Sequence, residues 1–134
     1  MSSYLNIYAV PKESDKKLLL FSYSRSHPTY QAFYEYGGIA YAGIENKYTK
    51  VTLSMMEDIT ADAYKEMYDT KSKIAEYEKY AAGNTDIIQD IISTKEYYNE
   101  LQENYYRLCI IKEMVYDIEK IDCTDFQGIY VNID

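Results

Sequence analysis

The chain has 134 residues, a net charge of −8 and 18 tyrosines without a tryptophan. This length is sufficient for one domain with its own core, so no stabilising disulfide or metal is required. No segment approaches the ~20 apolar residues of a membrane span, and the first residues do not resemble a secretion signal, so we expect a cytoplasmic protein without membrane contact.

The negative charge is concentrated in one part of the chain. Residues 55–122 contain 16 of the 22 acidic residues and 8 of the 14 basic residues, which gives −8, whereas the remainder contains six of each. The acidic part would repel phosphate groups, so we expect no direct binding of nucleic acid.

The first 54 residues are predicted to form strands and one short helix. In chain order, these are strands at 4–10 and 17–24, a helix that begins near Pro28 and ends at Gly37 and Gly38, an irregular stretch at 39–47 and a strand at 48–54. The apolar run 18–21 is typical of a well-covered strand. Ser26 is the expected cap of the short helix, because its hydroxyl can accept a hydrogen bond from the first turn.

Residues 55–122 are predicted to form a long helical hairpin. Its first helix begins at a capping box of Ser54 and Glu57, with Thr60 as a competing start. Small and apolar residues then recur at the spacing of a coiled-coil seam: Met56, Thr60, Ala63, Met67, Thr70, Ile74, Tyr77 and Ala81. Gly83 separates this helix from a second one, which is predicted to pack antiparallel to it.

The second helix has its own seam, composed of Ile87, Ile91, Thr94, Tyr98, Leu101, Tyr105, Leu108 and Val115. Near residue 111 the pattern shifts by one position, because Lys112 occupies a seam position while Ile111 and Ile118 lie beside it. The first helix ends at about this height, so we expect the last turns of the second helix to pack on the sheet.

A final strand at 128–134 completes the expected fold. We predict an α+β protein with one domain, 1–134: an antiparallel sheet of about four strands from 1–54 and 126–134, one short helix and a projecting hairpin. Both chain termini contribute to the sheet, and the strand order is left open.

The hairpin has more apolar surface than a two-helix seam requires, since isoleucines and tyrosines occur in adjacent pairs. We therefore predict contact residues at Tyr64, Tyr68, Ile88, Ile92, Tyr97 and Tyr106. The expected partner is a protein, including a second copy that forms a four-helix bundle with the first. Alternatively, the extra stripe packs on the sheet, or the tyrosines reflect the lysine- and isoleucine-rich amino-acid usage of the chain.

The only histidine and one of two arginines occur together at Ser24, Arg25, Ser26 and His27. They precede a helix N-terminus, where free N–H groups favour phosphate or carboxylate, and Tyr23 and Tyr30 are close in sequence. Ordinary helix capping explains Ser26 and His27 equally well.

Other chemistry lacks a pattern. Cys109 and Cys123 have no metal or redox spacing and are interpreted as reduced structural thiols, and no cofactor or metal motif occurs. The favoured hypothesis is a non-enzymatic protein–protein interaction module, of which a phage or mobile-element inhibitor of a host factor is one form. The alternatives are a small anionic-ligand-binding protein or enzyme using Arg25 and His27, and an acidic nucleic-acid mimic that inhibits a DNA-handling enzyme.

Overall fold

The computed structural model describes residues 3–14, 16–37, 48–81, 83–121 and 124–133. They form, in chain order, β1 (Tyr4–Pro11), β2 (Leu18–Ser24), α1 (Pro28–Gly37), β3 (Thr49–Lys50), α2 (Leu53–Lys79), α3 (Thr85–Tyr116), a π-helical turn (Asp117–Ile121) and β4 (Phe126–Ile133). The predicted α+β class, with its helical hairpin, is confirmed. Gly38, the irregular stretch 39–47 and Cys123 lie outside the described residues.

The sheet has the strand order β2-β1-β4-β3, and every neighbouring pair is antiparallel. The central strands β1 and β4 therefore come from the two ends of the chain. Side chains alternate across the sheet, so that Leu5 and Ile7 are fully buried on the face covered by the helices. On the other face, Asn6 accepts a hydrogen bond from Ser22 of β2 at 2.8 Å.

The prediction of a well-covered second strand is wrong. Leu18 and Leu19 are 43% and 58% exposed, because β2 lies at the edge of the sheet and pairs on one side only. An apolar run of this length does not reveal whether a strand is central or at an edge, since strand order is set by distant segments.

The predicted strand at 48–54 is shorter than expected. β3 ends at Lys50, the Val51 N–H still donates to the Ile129 carbonyl at 2.8 Å, and Thr52 then caps α2 by accepting from the Met55 N–H at 3.2 Å. The predicted caps at Ser54 and Thr60 are therefore wrong, and the hairpin begins at Leu53 rather than at 55. The sheet segment correspondingly ends before residue 54.

The predicted seam of α2 is confirmed, because all eight of its residues are buried or half-buried. Two of them are threonines whose hydroxyls would be costly to bury unpaired. Thr60 donates to the Met56 carbonyl at 2.7 Å and Thr70 to the Glu66 carbonyl at 2.8 Å, within the helix itself. The seam therefore tolerates these polar residues without a partner on α3.

The seam of α3 departs from the prediction about two turns earlier than expected. Asn104 is 5% exposed, whereas the predicted seam residue Tyr105 is only half-buried. From Leu101 onwards the buried positions are Leu101, Asn104, Leu108, Ile111 and Val115. The stripe turns at Asn104 rather than near residue 111, because α1 packs beside the hairpin at that height and adds a second surface to cover.

The core lies at one end of the hairpin. Its buried members from the two long helices are Met56, Ile59, Leu108, Ile111 and Val115, and they meet α1 and the inner face of the sheet. The π-helical turn joins the same end, because the Glu119 carboxylate accepts from the Leu53 N–H at 2.6 Å. The half of the hairpin nearest the turn at Gly83 contributes no described residue to this core.

Two adjacent isoleucines on α3 test which side of this helix is buried in the core. Ile111 is fully buried and Ile110 is 53% exposed. We expect Ile111→Ala to lower the free energy of unfolding by about 2–5 kcal/mol, because it leaves a cavity in the core. The matched control, Ile110→Ala, should cost less than about 0.5 kcal/mol. Urea denaturation followed by circular dichroism measures both, and equal losses would contradict the stripe position.

Candidate functional site

Most of the predicted contact residues lie on one side of the hairpin. Tyr64 and Tyr68 are one turn apart on α2, and the Tyr64 ring lies 5.7 Å from the ring of Tyr105 on α3. On α3, Ile88, Ile92 and Lys95 follow at helical spacing, and Lys95 forms an ion pair with Glu78 of α2 at 3.0 Å. We call this side the tyrosine–isoleucine face and define it by five exposed residues: Tyr64, Tyr68, Ile88, Ile92 and Tyr106.

Tyr97 belongs to the opposite side. Its hydroxyl donates to the Glu66 carboxylate at 2.9 Å. Burial, together with the hydrogen bond and the negative charge of Glu66, raises the pKa of Tyr97 to about 12. Sequence periodicity had grouped Tyr97 with the other contact tyrosines, but the structure does not bring them together.

Tyr97 lies on a side of the hairpin that carries a cluster of acidic residues, which we call the acidic face. Helical spacing places seven carboxylates there against the three cations Lys65, Lys73 and Arg107: Asp62, Glu66, Asp69, Asp90, Glu96, Glu100 and Glu103. Between the helices, this face has an open groove of about 390 Å³ that Glu66, Asp69 and Tyr97 help to line. The charge of the hairpin is thus unevenly distributed around it.

Near the sheet, the acidic face has a second depression, which we call the His27 pocket. It has a volume of about 240 Å³ and is lined by His27, Glu100, Glu103, Asn104 and Arg107. The Arg107 guanidinium forms an ion pair with Glu103 at 2.6 Å and lies over the Phe21 ring, 5.6 Å from its centroid. The pocket therefore joins the start of α1 to four residues of α3.

The structure divides the predicted ligand residues. His27 lines the pocket, whereas Ser24, Arg25 and Ser26 are exposed in the turn before α1, with the Ser24 and Ser26 hydroxyls 3.1 Å apart. The cation beside His27 is Arg107 rather than the predicted Arg25. Arg107 is about 80 residues away in sequence, so local spacing could not identify it.

His27, not Ser26, caps α1. The His27 Nδ1 atom accepts from the Thr29 N–H at 3.1 Å, so the imidazole is neutral and carries its proton on Nε2. Burial lowers the pKa of His27, the nearby Arg107 lowers it further, and Glu100 opposes both effects. The predicted serine cap is therefore wrong, and the histidine has a structural role in addition to lining the pocket.

Two buried polar atoms at this end of the hairpin have no hydrogen-bond partner among the described residues: the Thr29 hydroxyl and the Asn104 amide oxygen. The Tyr23 and His27 ring centroids are 4.7 Å apart. Burial raises the pKa of Tyr23, and the Arg107 charge partly opposes this. Asn104 borders both the His27 pocket and a cavity of about 20 Å³ that Thr29 also lines.

Sequence reasoning missed Asn104, although one signal was present. Asn104 lies three residues after Leu101 and four before Leu108, which is the spacing of a seam position. By spacing alone, either Asn104 or Tyr105 could continue the seam. The structure has Asn104 in the seam, at the place where α1 packs against the hairpin.

Among the described residues, no group of three or more His, Cys, Asp or Glu side chains could hold a metal ion. In the same part of the chain, none of the helices has the length and hydrophobicity needed to cross a membrane. Comparison with protein families, curated proteins and solved structures finds no match to this chain. We therefore infer function from the geometry of the two faces.

The capping bond predicts a pH dependence of stability. A neutral His27 is required to accept from Thr29, and its lowered pKa means that the unfolded chain binds a proton first as pH falls. This contribution is therefore fully present above the ordinary value of 6.5 and is lost as pH falls through the lowered pKa in the folded state. Arg107 and Tyr23 face the ring without removing this effect, and Glu100 reduces it.

The variant His27→Asn keeps a capping side chain that does not titrate. We expect the wild type to lose thermal stability relative to this variant between pH 7.5 and pH 5. Thermal unfolding at both pH values measures the difference. A constant difference between the two proteins would contradict the capping role of the neutral imidazole.

Proposed function

We propose that this chain is a non-enzymatic protein–protein interaction module that acts through its helical hairpin. The observation that carries the proposal is the tyrosine–isoleucine face, on which five large side chains remain exposed beyond the reach of the core. Tyrosine provides a large contact area with little loss of side-chain entropy, and isoleucine provides apolar area.

The partner we propose is a second copy of the chain. Lys95 and Glu78 neutralise each other beside the tyrosine–isoleucine face, whereas the surplus carboxylates lie on the acidic face. Two hairpins that pack through the first face would hold their acidic faces apart, so charge repulsion does not oppose the contact. Such packing of two helical hairpins produces a four-helix bundle.

Light scattering tests this proposal at concentrations from about 5 to 100 µM, where a dimer of this kind forms if its dissociation constant is micromolar. We expect twice the monomer mass of 15.7 kDa for the wild type. The double variant Tyr68→Glu, Ile92→Glu should be monomeric, because a charge buried in the contact is costly. The control Ser93→Glu adds a charge beside Ile92 but on the opposite groove, and it should remain dimeric.

A wild-type monomer throughout this range would contradict self-association. A double variant that is still dimeric would place the contact elsewhere on the molecule. Circular dichroism of each variant separates loss of the contact from loss of the fold.

An acidic mimic of nucleic acid is a second candidate, supported by the segregation of carboxylates on one face of the hairpin. In this form the acidic face binds a DNA-handling enzyme, and the contact weakens steeply with salt. The mimic would be favoured if this protein retains such an enzyme and if the retention is lost both at high salt and in the variant Glu66→Lys, Asp69→Lys. The tyrosine–isoleucine variant leaves that retention unchanged.

A further inference from the structure

Toward the sheet, the tyrosine–isoleucine face ends in an open depression between the start of α2 and the end of α3. It has a volume of about 390 Å³ and a mostly apolar surface, and we call it the basal depression. Its lining residues are Leu53, Glu57, Cys109, Lys112, Glu113 and Tyr116. Cys109 lies one turn after Tyr105, whose ring is 5.7 Å from that of Tyr64, so the depression is continuous with the face.

At the other end of the same face, two isoleucines project without a partner among the described residues. Ile88 and Ile92 are exposed and lie one turn apart near the start of α3. The core cannot cover them, because no described residue of this half of the hairpin belongs to it. One face of the hairpin thus has apolar side chains at one end and an apolar depression at the other.

These two features lie at similar distances from the middle of the hairpin. The two long helices are level at Ala63 and Leu101, which line one cavity. At a rise of about 1.5 Å per residue, Ile92 lies about 14 Å from Leu101 toward the turn, and Lys112 lies about 17 Å from it toward the sheet. A twofold axis that crosses the contact at this level, perpendicular to the helices, places the isoleucines of one copy at the depression of the other.

The charged residues of α2 match across the same axis. Glu57 and Lys71 lie seven residues before and seven residues after Tyr64, on the same side of the helix. Both are exposed, and neither forms an ion pair with a described residue. When the hairpins are antiparallel, α2 lies opposite α2 of the other copy. Glu57 of each copy then faces Lys71 of the other, which gives two contacts between opposite charges in one dimer.

Parallel hairpins would leave these features unmatched. In that arrangement α2 lies opposite α3 of the other copy, and residues at the same height meet. The two basal depressions then face each other instead of receiving the isoleucines. Lys71 also lies within about 3 Å in height of Lys95 of the other copy, a contact between like charges.

We propose that the basal depression binds Ile88 and Ile92 of a second copy, so that the two hairpins pack antiparallel. This packing rests on the self-association proposed above, and it gives each copy both a projecting element and the site that receives it. The contact is the same from both sides, so the assembly closes at two copies. Burial of apolar surface at both ends of the face provides the driving force.

Charge reversal at Glu57 and Lys71 tests the orientation, with dissociation constants measured by sedimentation equilibrium of the full-length protein. We expect Lys71→Glu and Glu57→Lys each to weaken the dimer by at least about fivefold, because each creates two contacts between like charges. The double variant should return to within about twofold of the wild type. The control Lys73→Glu makes the same change in charge on the acidic face and should leave the dimer unchanged.

The two single variants change the total charge in opposite directions, so general repulsion between the copies would weaken only one of them. If the wild type is dimeric and the double variant does not restore its affinity, the antiparallel packing is overturned while self-association stands. A monomeric wild type would overturn both.

Photocrosslinking locates the isoleucines in the dimer. A benzophenone side chain replaces Ile88 in the full-length protein, and mass spectrometry identifies the cross-linked peptides. We expect cross-links to residues 109–116 or 53–57. These residues lie about 30 Å or more from Ile88 along the hairpin of one copy, so only a second copy brings them within reach. Cross-links confined to residues 75–79, at the height of Ile88 itself, would indicate parallel hairpins and overturn the proposal.

Discussion

Two antiparallel helices can bury only one stripe of each other, and this limit shapes the whole molecule. Near the sheet, α1 and the inner face of the sheet cover a second side of the hairpin, so that Ile59, Ile111 and Val115 join the core. Toward Gly83, no described residue of the hairpin takes part in that core. Stability there depends on the seam, whose threonines are satisfied by their own helix.

The charged residues of the hairpin are distributed differently on its two exposed sides. Carboxylates could be solvated on either exposed side of the hairpin. They are concentrated on the acidic face, whereas the opposite face has exposed tyrosine and isoleucine side chains. An ordinary solvated hairpin has both charge signs interspersed on all exposed sides. The division into one neutral apolar face and one acidic face is therefore informative about contacts in a way that the total charge of −8 is not.

The spacing of apolar residues along the sequence predicted those parts of the fold that depend on a local sequence repeat. All eight residues that it assigned to the seam of α2 are buried or half-buried, but it did not identify Ile59, which is buried where α1 packs beside α2. It failed where a distant segment decides the environment. Leu18 and Leu19 are exposed because strand order places β2 at an edge, and the seam turns at Asn104 because α1 packs there. The His27 pocket combines residues about 80 positions apart in the sequence, and of these the sequence pattern indicates only His27.

The polar end of the hairpin has a different physical character from the apolar face. Unpaired buried groups such as the Asn104 amide oxygen cost stability, whereas exposed isoleucines such as Ile92 cost little. The first cost is present at all times in the folded chain. Contact through the tyrosine–isoleucine face should stabilise mainly the part of the hairpin that the core does not reach.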